Sequence, residues 1–285
     1  MRNIALTGMP RSGTTLVCNL LNQIDNVIAL HEPIIAYSFL KGLNRQESIE
    51  KIIQFFNSSR VSLLNSRMAI TKHRNGIIPD NSITEENMNI NFEGSNRIDQ
   101  MEHGEIHFNK PLSESFNLFI KDPTLFTALL PELTNAIPTY AIIRNPVSVL
   151  LSWNSVPFKI SNGRILPAEM FDKYLLDKLN NESNRFERQG IIMQWYFINY
   201  LKHLNEDSII KYEEVISTQG QVLSKLGVNT SKLDVTLESK NLNRQYNRTL
   251  VKKIFMIIEK YYSKDFESLY SLDYLVEIRN DIISS

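Results

Sequence analysis

Short apolar runs alternate along this chain with longer stretches whose apolar residues recur every three or four positions. That alternation is the pattern of an α/β protein built on a largely parallel sheet. Residues 3–7 predict a first strand. Residues 14–24 predict a helix, with Leu16, Val17, Leu20, Leu21 and Ile24 on one face. A second short run, 27–30, ends at His31-Glu32-Pro33, and further strands are predicted at 118–120, 140–143 and 209–212. Each of these runs stays uncharged until its last residues, as a strand covered on both faces should. Val147 to Trp153 predicts another helix, and 249–261 a last one, with Leu250, Ile254, Ile257, Ile258 and Tyr261 at helical spacing.

Two stretches break the alternation. Residues 57–115 are polar and rich in Asn and Ser, and predict loops and short helices inserted over the functional edge of the sheet. Residues 227–248 are also polar, with Lys240, Arg244 and Arg248 in a segment expected either to fold over a ligand or to be mobile.

Composition narrows the function classes. Among 285 residues, Lys plus Arg and Asp plus Glu number 31 each, so no global field draws in nucleic acid or an anionic membrane. Anion specificity must come from local placement of basic groups. No apolar stretch approaches the roughly 20 residues that cross a bilayer, and Ile4-Ala5-Leu6 is too short for a signal core. The lone Cys18 allows no internal disulfide, and its apolar setting predicts helix core rather than a reactive thiol. A cytoplasmic protein is expected. His73, His103, His107 and His203 stand in polar stretches and are expected at the surface, with Trp153 and Trp195 in the core.

The spacing Gly8-x-x-x-x-Gly13 between a strand and a helix is the geometry of an anion-cradling loop. Glycines allow the tight turn, while backbone N–H groups and the helix N-terminus point at the anion. A nucleotide triphosphatase places Lys at the position Thr14 holds, followed by Ser or Thr for magnesium. In this chain the basic residue, Arg11, lies inside the loop instead. A second anion site is suggested by Arg144 at the end of the 140–143 strand, with Ser152 about two helical turns into the next helix. Arg offers a bidentate fork there.

Pro10-Arg11-Ser12-Gly13-Thr14-Thr15 resembles the 5′-phosphosulfate-binding motif of the sulfotransferases that use 3′-phosphoadenylyl sulfate, in the form with Arg where others have Lys. The spacing of Arg144 and Ser152 resembles the family's 3′-phosphate motif. Ile120-Lys121-Asp122-Pro123 is similar to the Lys-Asp-Pro strand end of the tyrosylprotein branch, and Lys211-Tyr212-Glu213-Glu214 to the family's Tyr-Glu-Asp segment. His31-Glu32-Pro33 stands where several relatives carry a catalytic Glu. The likeness touches both ends of the chain but not 57–115. An Arg-Lys-Gly segment is missing, and Arg244 or Arg248 would have to substitute for it. The nearer likeness is to bacterial, glycan and tyrosylprotein branches.

The resemblance implies one domain, 1–285, with the three-layer sandwich of the P-loop nucleotide triphosphatases around a central parallel sheet. In it 57–115 would bind the acceptor and 227–248 cover the donor. It implies transfer of a sulfuryl group to a hydroxyl or amine on a small molecule, such as a specialised metabolite, with adenosine 3′,5′-bisphosphate as product and no metal. Donor contacts would come from Arg11, Ser12, Gly13, Thr14, Thr15, Arg144, Ser152 and Tyr212. Transfer is an in-line displacement in which positioning and charge neutralisation dominate. Glu32 would take the acceptor's proton, its pKa raised by desolvation. Arg11 would stabilise the leaving phosphate and Lys121 the transferring oxygens. His31 is the rival base. The competing readings are a P-loop small-molecule kinase and a non-catalytic nucleotide-binding protein of the same fold. Oligomeric state stays open.

Overall fold

A computed structural model describes residues 2–83, 101–156 and 158–285. Among them lie seven strands: β1 (Arg2–Gly8), β2 (Val27–His31), β3 (Met68–His73), β4 (Glu102–His107), β5 (Asn117–Lys121), β6 (Thr139–Ile143) and β7 (Ile209–Lys211). Five of them form one parallel sheet in the order β2-β5-β1-β6-β7. These are the five short apolar runs of the sequence, charged only at their first or last residues. The buried apolar side chains of β1, β2 and β5 all join one core, and in β6 successive side chains divide between two, as the period of two allows. In β6, Ile142 joins one core, while Ala141 and Ile143 join the other. The first core takes the apolar faces of α1 (Thr14–Gln23) and of the helix Arg45–Ser66. The second takes those of Pro146–Trp153, Arg185–His203, Val251–Tyr261 and Leu272–Ser284. The protein is therefore α/β, with helices on both faces of a central sheet. Among the described residues no helix is long and apolar enough to cross a membrane.

The polar stretch 57–115 differs from its prediction. Its start belongs to the 22-residue helix Arg45–Ser66, opened by a capping box in which the Asn44 side chain accepts from the Glu47 amide and Glu47 from the Asn44 amide. Ile49, Ile52, Phe56 and Leu63 bury one face of that helix together with Ser48, Ser59 and Arg60, and these polar residues mask the period in the sequence. After this helix the chain forms an antiparallel pair, β3 and β4, in place of short helices. Ala69, Thr71 and His73 form the buried side of β3, so His73 is not at the surface as expected. Residues 84–100 of this stretch lie outside those described. A further helix, Leu272–Ser284, follows the one predicted to be last. Both tryptophans are buried, as the sequence suggested.

Arg60 ties the first core to the amino end of the sheet. Its guanidinium donates to the carbonyls of Phe116 and Arg2 and to Oδ1 of Asn3, and lies 4.3 Å from the centre of the Phe116 ring. Replacing it with an apolar chain strands buried acceptors, each at a cost of about 1–3 kcal/mol. Arg60→Met should therefore lower the unfolding free energy by roughly 2–4 kcal/mol in urea denaturation.

Candidate active site at the carboxyl edge of the sheet

All five parallel strands end on the same edge, and each end delivers a polar residue. Across the sheet these are Glu32 after β2, Lys121 in β5, the loop after β1, Arg144 after β6 and Tyr212 after β7. The chain leaves β1 towards the β2 edge and leaves β6 towards the β7 edge. The crevice between the two is where ligands bind in sheets of this kind.

The loop Gly8–Thr15 is shaped by close approaches. A Cβ on Gly8 would lie 2.3 Å from the Ile142 carbonyl oxygen, and one on Gly13 would lie 2.6 Å from the Tyr212 ring. Arg11 holds a left-handed backbone, φ 73°, a costly conformation outside glycine. The Ser12 hydroxyl donates to the Ile142 carbonyl at 2.6 Å and its amide to Met9, so Ser12 braces the loop and does not line the cavity. Trp153 Nε1 donates to the Pro10 carbonyl at 2.7 Å. Gly13, Thr14 and Thr15 open α1 and face the cavity, where first-turn amides have no partner within the helix.

Cations gather beside the loop. The Arg11 guanidinium donates to Ser152 Oγ at 3.1 Å, Ser82 Oγ at 3.2 Å and Asn81 Oδ1 at 3.2 Å. Arg144 donates to the Arg11 carbonyl, to Asn241 Oδ1 and to the Tyr246 hydroxyl, and its guanidinium lies 4.5 Å from the centre of the Tyr212 ring. The Tyr212 hydroxyl accepts from the Lys240 amide. Glu213, next in the chain, accepts from Asn145, Asn241 and Tyr270 and so locks β7's end to β6's. The polar segment 227–248 thus folds over Arg144 through Asn241 and Tyr246. Lys240 lines the cavity, whereas Arg248 hydrogen-bonds Ser285.

At the other end stands a charged triplet. Glu32 Oε1 accepts from Lys121 Nζ at 2.5 Å, and Oε2 from Lys72 Nζ at 2.6 Å. The Glu32 amide also donates to the Lys121 carbonyl. Lys72 arrives on β3, which docks on β2 because Thr71 Oγ1 accepts from the His31 amide. His31 Nε2 lies 3.3 Å from Thr15 Oγ1 and 3.4 Å from Lys121 Nζ. Asp122 Oδ1 accepts the amides of Thr124 and Leu125.

Electrostatics corrects one expectation. Burial by itself would raise the Glu32 pKa, but Lys121 and then Lys72 outweigh it and hold the carboxyl well below its usual range. His31 is pushed down to about 3, by burial above all and then by Lys121, so its imidazole is neutral near pH 7. Asp122 is pushed up to about 7 by burial and by the neighbouring Glu32 charge. Cys18 is likewise pushed up to about 12 by burial.

The opening of α1, both arginines, the Glu32 triplet, His31, Asp122 and Tyr212 line one cavity of about 1210 Å³. Arg11, Thr15, Glu32, Lys121, Arg144, Ser152 and Tyr212, recognised from the sequence, are brought together there, while Ser12 and Cys18 stand outside it. Lys72, Asn81, Ser82 and Asp122 were not singled out. The first three lie in the polar stretch, where nothing local separates a site residue from a solvated one. Asp122 was visible within Lys121-Asp122-Pro123, but no local signal gave it a role. No protein-family model matches the chain, and no curated protein matches it in sequence.

Asp122 provides a pH test. Its folded pKa of about 7 lies above the ordinary 3.8, so its contribution to stability is complete below pH 3.8 and is lost as pH rises through 7. Asp122→Asn keeps an acceptor for the two amides. Melting temperatures taken from pH 4 to 8 should show the variant gaining on the wild type as pH rises, and a constant offset would contradict the assignment.

Proposed function

We propose that this chain is a sulfotransferase with a P-loop-type anion cradle, taking a sulfuryl group from 3′-phosphoadenylyl sulfate to a small-molecule acceptor. The observation that carries the reading is the division of one cavity into a loop-and-arginine half and a carboxylate-and-lysine half. A donor with anionic groups at both 5′ and 3′ positions needs two cationic sites. Arg11 and Arg144 answer to that, held by different partners but joined through the Arg11 carbonyl. The donor set fits such a nucleotide in kind: two arginines, Lys240 and the first-turn amides of α1, beside an aromatic face at Tyr212. Gly13 lets the loop lie against the Tyr212 ring, where any Cβ would clash.

In this reading Gly13, Thr14, Thr15 and Arg11 hold the 5′ end, and Arg144 with Ser152 the 3′-phosphate. When bound, the donor supplies an activated sulfur with a phosphate leaving group. Glu32 receives the acceptor's proton, and Lys121 neutralises charge on the transferring oxygens. The low proton affinity of Glu32 follows from its two lysines. An anion drawn to Lys121 weakens that hold, and burial then raises the carboxylate towards a useful base. His31, its proton affinity lowered by burial and by Lys121, is the poorer candidate.

One feature favours the kinase reading: Asp122 follows the strand next to β1, where a carboxylate could hold magnesium. Against it, Oδ1 of Asp122 is engaged by two amides, and Thr14 stands where a kinase needs Lys. Thermal shift separates the two. Adenosine 3′,5′-bisphosphate without magnesium should stabilise the protein, by about 2.7 kcal/mol at a hundred times its dissociation constant. Stabilisation by ATP with magnesium alone would point to a kinase. Glu32→Gln should lose about a hundredfold or more in turnover while still binding the bisphosphate. Turnover near wild type would remove Glu32 as the base.

A further inference from the structure

We infer that the acceptor is a neutral hydroxyl on an apolar body, an alkyl alcohol or a phenol, rather than an amine or a sugar. This rests on the sulfuryl-transfer reading and names its second substrate.

Size comes first. A pocket of roughly 300–1,000 Å³ holds one drug-sized ligand, and this cavity, at about 1210 Å³, has room for a second molecule beside a nucleotide. The walls say what that molecule is. Ile34, Ile35 and Tyr37 follow Glu32 closely in the chain and line the cavity. Ile165, Leu166 and Met170 supply a second apolar wall. That segment's helix, Leu166–Glu169, packs on Leu125–Ala128, the helix that follows Lys121. Both apolar walls therefore adjoin the strand ends that carry the carboxylate–lysine pair. Arg144 and Tyr212 stand towards the other edge of the sheet.

Ile35 and Tyr37 remain 51% and 65% exposed although they line the cavity. An apolar body would cover that surface. A sugar would instead turn hydroxyls against Ile34 and Ile165, which offer no side-chain partner.

Charge selects the nucleophile. Both oxygens of Glu32 are taken by ammonium groups, and Asp122, next after Lys121 in the chain, is held by the amides of Thr124 and Leu125. The cavity's other carboxylates belong to its arginine half: Asp80 next to Asn81, which accepts from Arg11, and Glu238 in the segment folded over Arg144. Arg164, which also lines the cavity, is paired with Glu169. A protonated amine arriving at Glu32 meets Lys72 and Lys121, whereas a hydroxyl arrives neutral. The oxyanion it develops is stabilised by those same ammonium groups. In the step, the acceptor oxygen bonds to sulfur, and the sulfur–oxygen bond to the donor's phosphate breaks with its electron pair staying on the phosphate. The hydroxyl proton goes to Glu32.

The test uses the whole chain and a donor carrying radioactive sulfur, with octanol, naphthol, octylamine and glucose as acceptors near neutral pH. Octanol and naphthol should exceed octylamine and glucose in kcat/KM by about a hundredfold. Ile35→Asp and Leu166→Asn change positions that are not fully buried. Each should raise the KM for naphthol about tenfold while leaving the dissociation constant of adenosine 3′,5′-bisphosphate unchanged. Equal or better turnover of octylamine or glucose overturns the inference, as does an unchanged KM in both variants. If the wild type binds no bisphosphate, the sulfuryl-transfer reading itself falls and takes this one with it. Bisphosphate binding with the wrong acceptor preference sinks the acceptor class alone.

Discussion

The ammonium of Lys121 ends a strand whose preceding side chains Leu118, Phe119 and Ile120 are fully buried, and it is itself almost inaccessible. It is held there by Glu32, just past the end of the neighbouring strand, at 2.5 Å. A parallel sheet with helices on both faces offers no polar surface along its length, so charge collects where the strands stop. The pairing of Lys121 with Glu32 satisfies both groups and keeps the ends of β5 and β2 together. Lys72, drawn onto the same carboxylate, fastens the β3–β4 pair to that edge. A buried charge of this kind is tolerated only with such partners, and the shape of this half of the cavity follows from providing them.

The other half obeys a packing rule. Gly8 and Gly13 let the loop lie against β6 and against the Tyr212 ring. Because the loop sits so low, the Arg11 carbonyl meets Arg144, and the Arg11 guanidinium reaches Ser152 on one side and Asn81 and Ser82 on the other. A single residue thus touches the loop, the β6 end, the following helix and the inserted stretch. The pull of Lys121 on Glu32 is the point at which the two halves would communicate. Under the proposed reading, an anion bound in the loop would compete for Lys121, and Glu32 would then become more basic.

Much of the fold was legible because buried strands must be apolar and short. The five parallel strands fall within a residue or two of their predicted positions. The same rule hid β3 and β4: with one side open, Met68–His73 carries a lysine and a histidine and reads as polar loop. The helix Arg45–Ser66 was hidden too, because Ser48, Ser59 and Arg60 interrupt the apolar residues of its buried face.

For the site, the sequence by itself determined the residues that ride on strand ends and turns: Glu32, Lys121, Arg144, Tyr212 and the Gly8–Thr15 loop. Spacing and glycine geometry pick out the loop and Arg144, whereas Glu32, Lys121 and Tyr212 were singled out by the resemblance. The tertiary structure alone decided what surrounds them. Lys72 meets Glu32 only because Thr71 docks β3 on β2, and the opposite shift of the Glu32 carboxyl from the one expected owes part of its size to that contact. Ser12 turns inward to a carbonyl of β6, which no spacing along the chain could reveal. Proton affinity and apolar enclosure depend on neighbours brought from distant segments, and local sequence does not specify them.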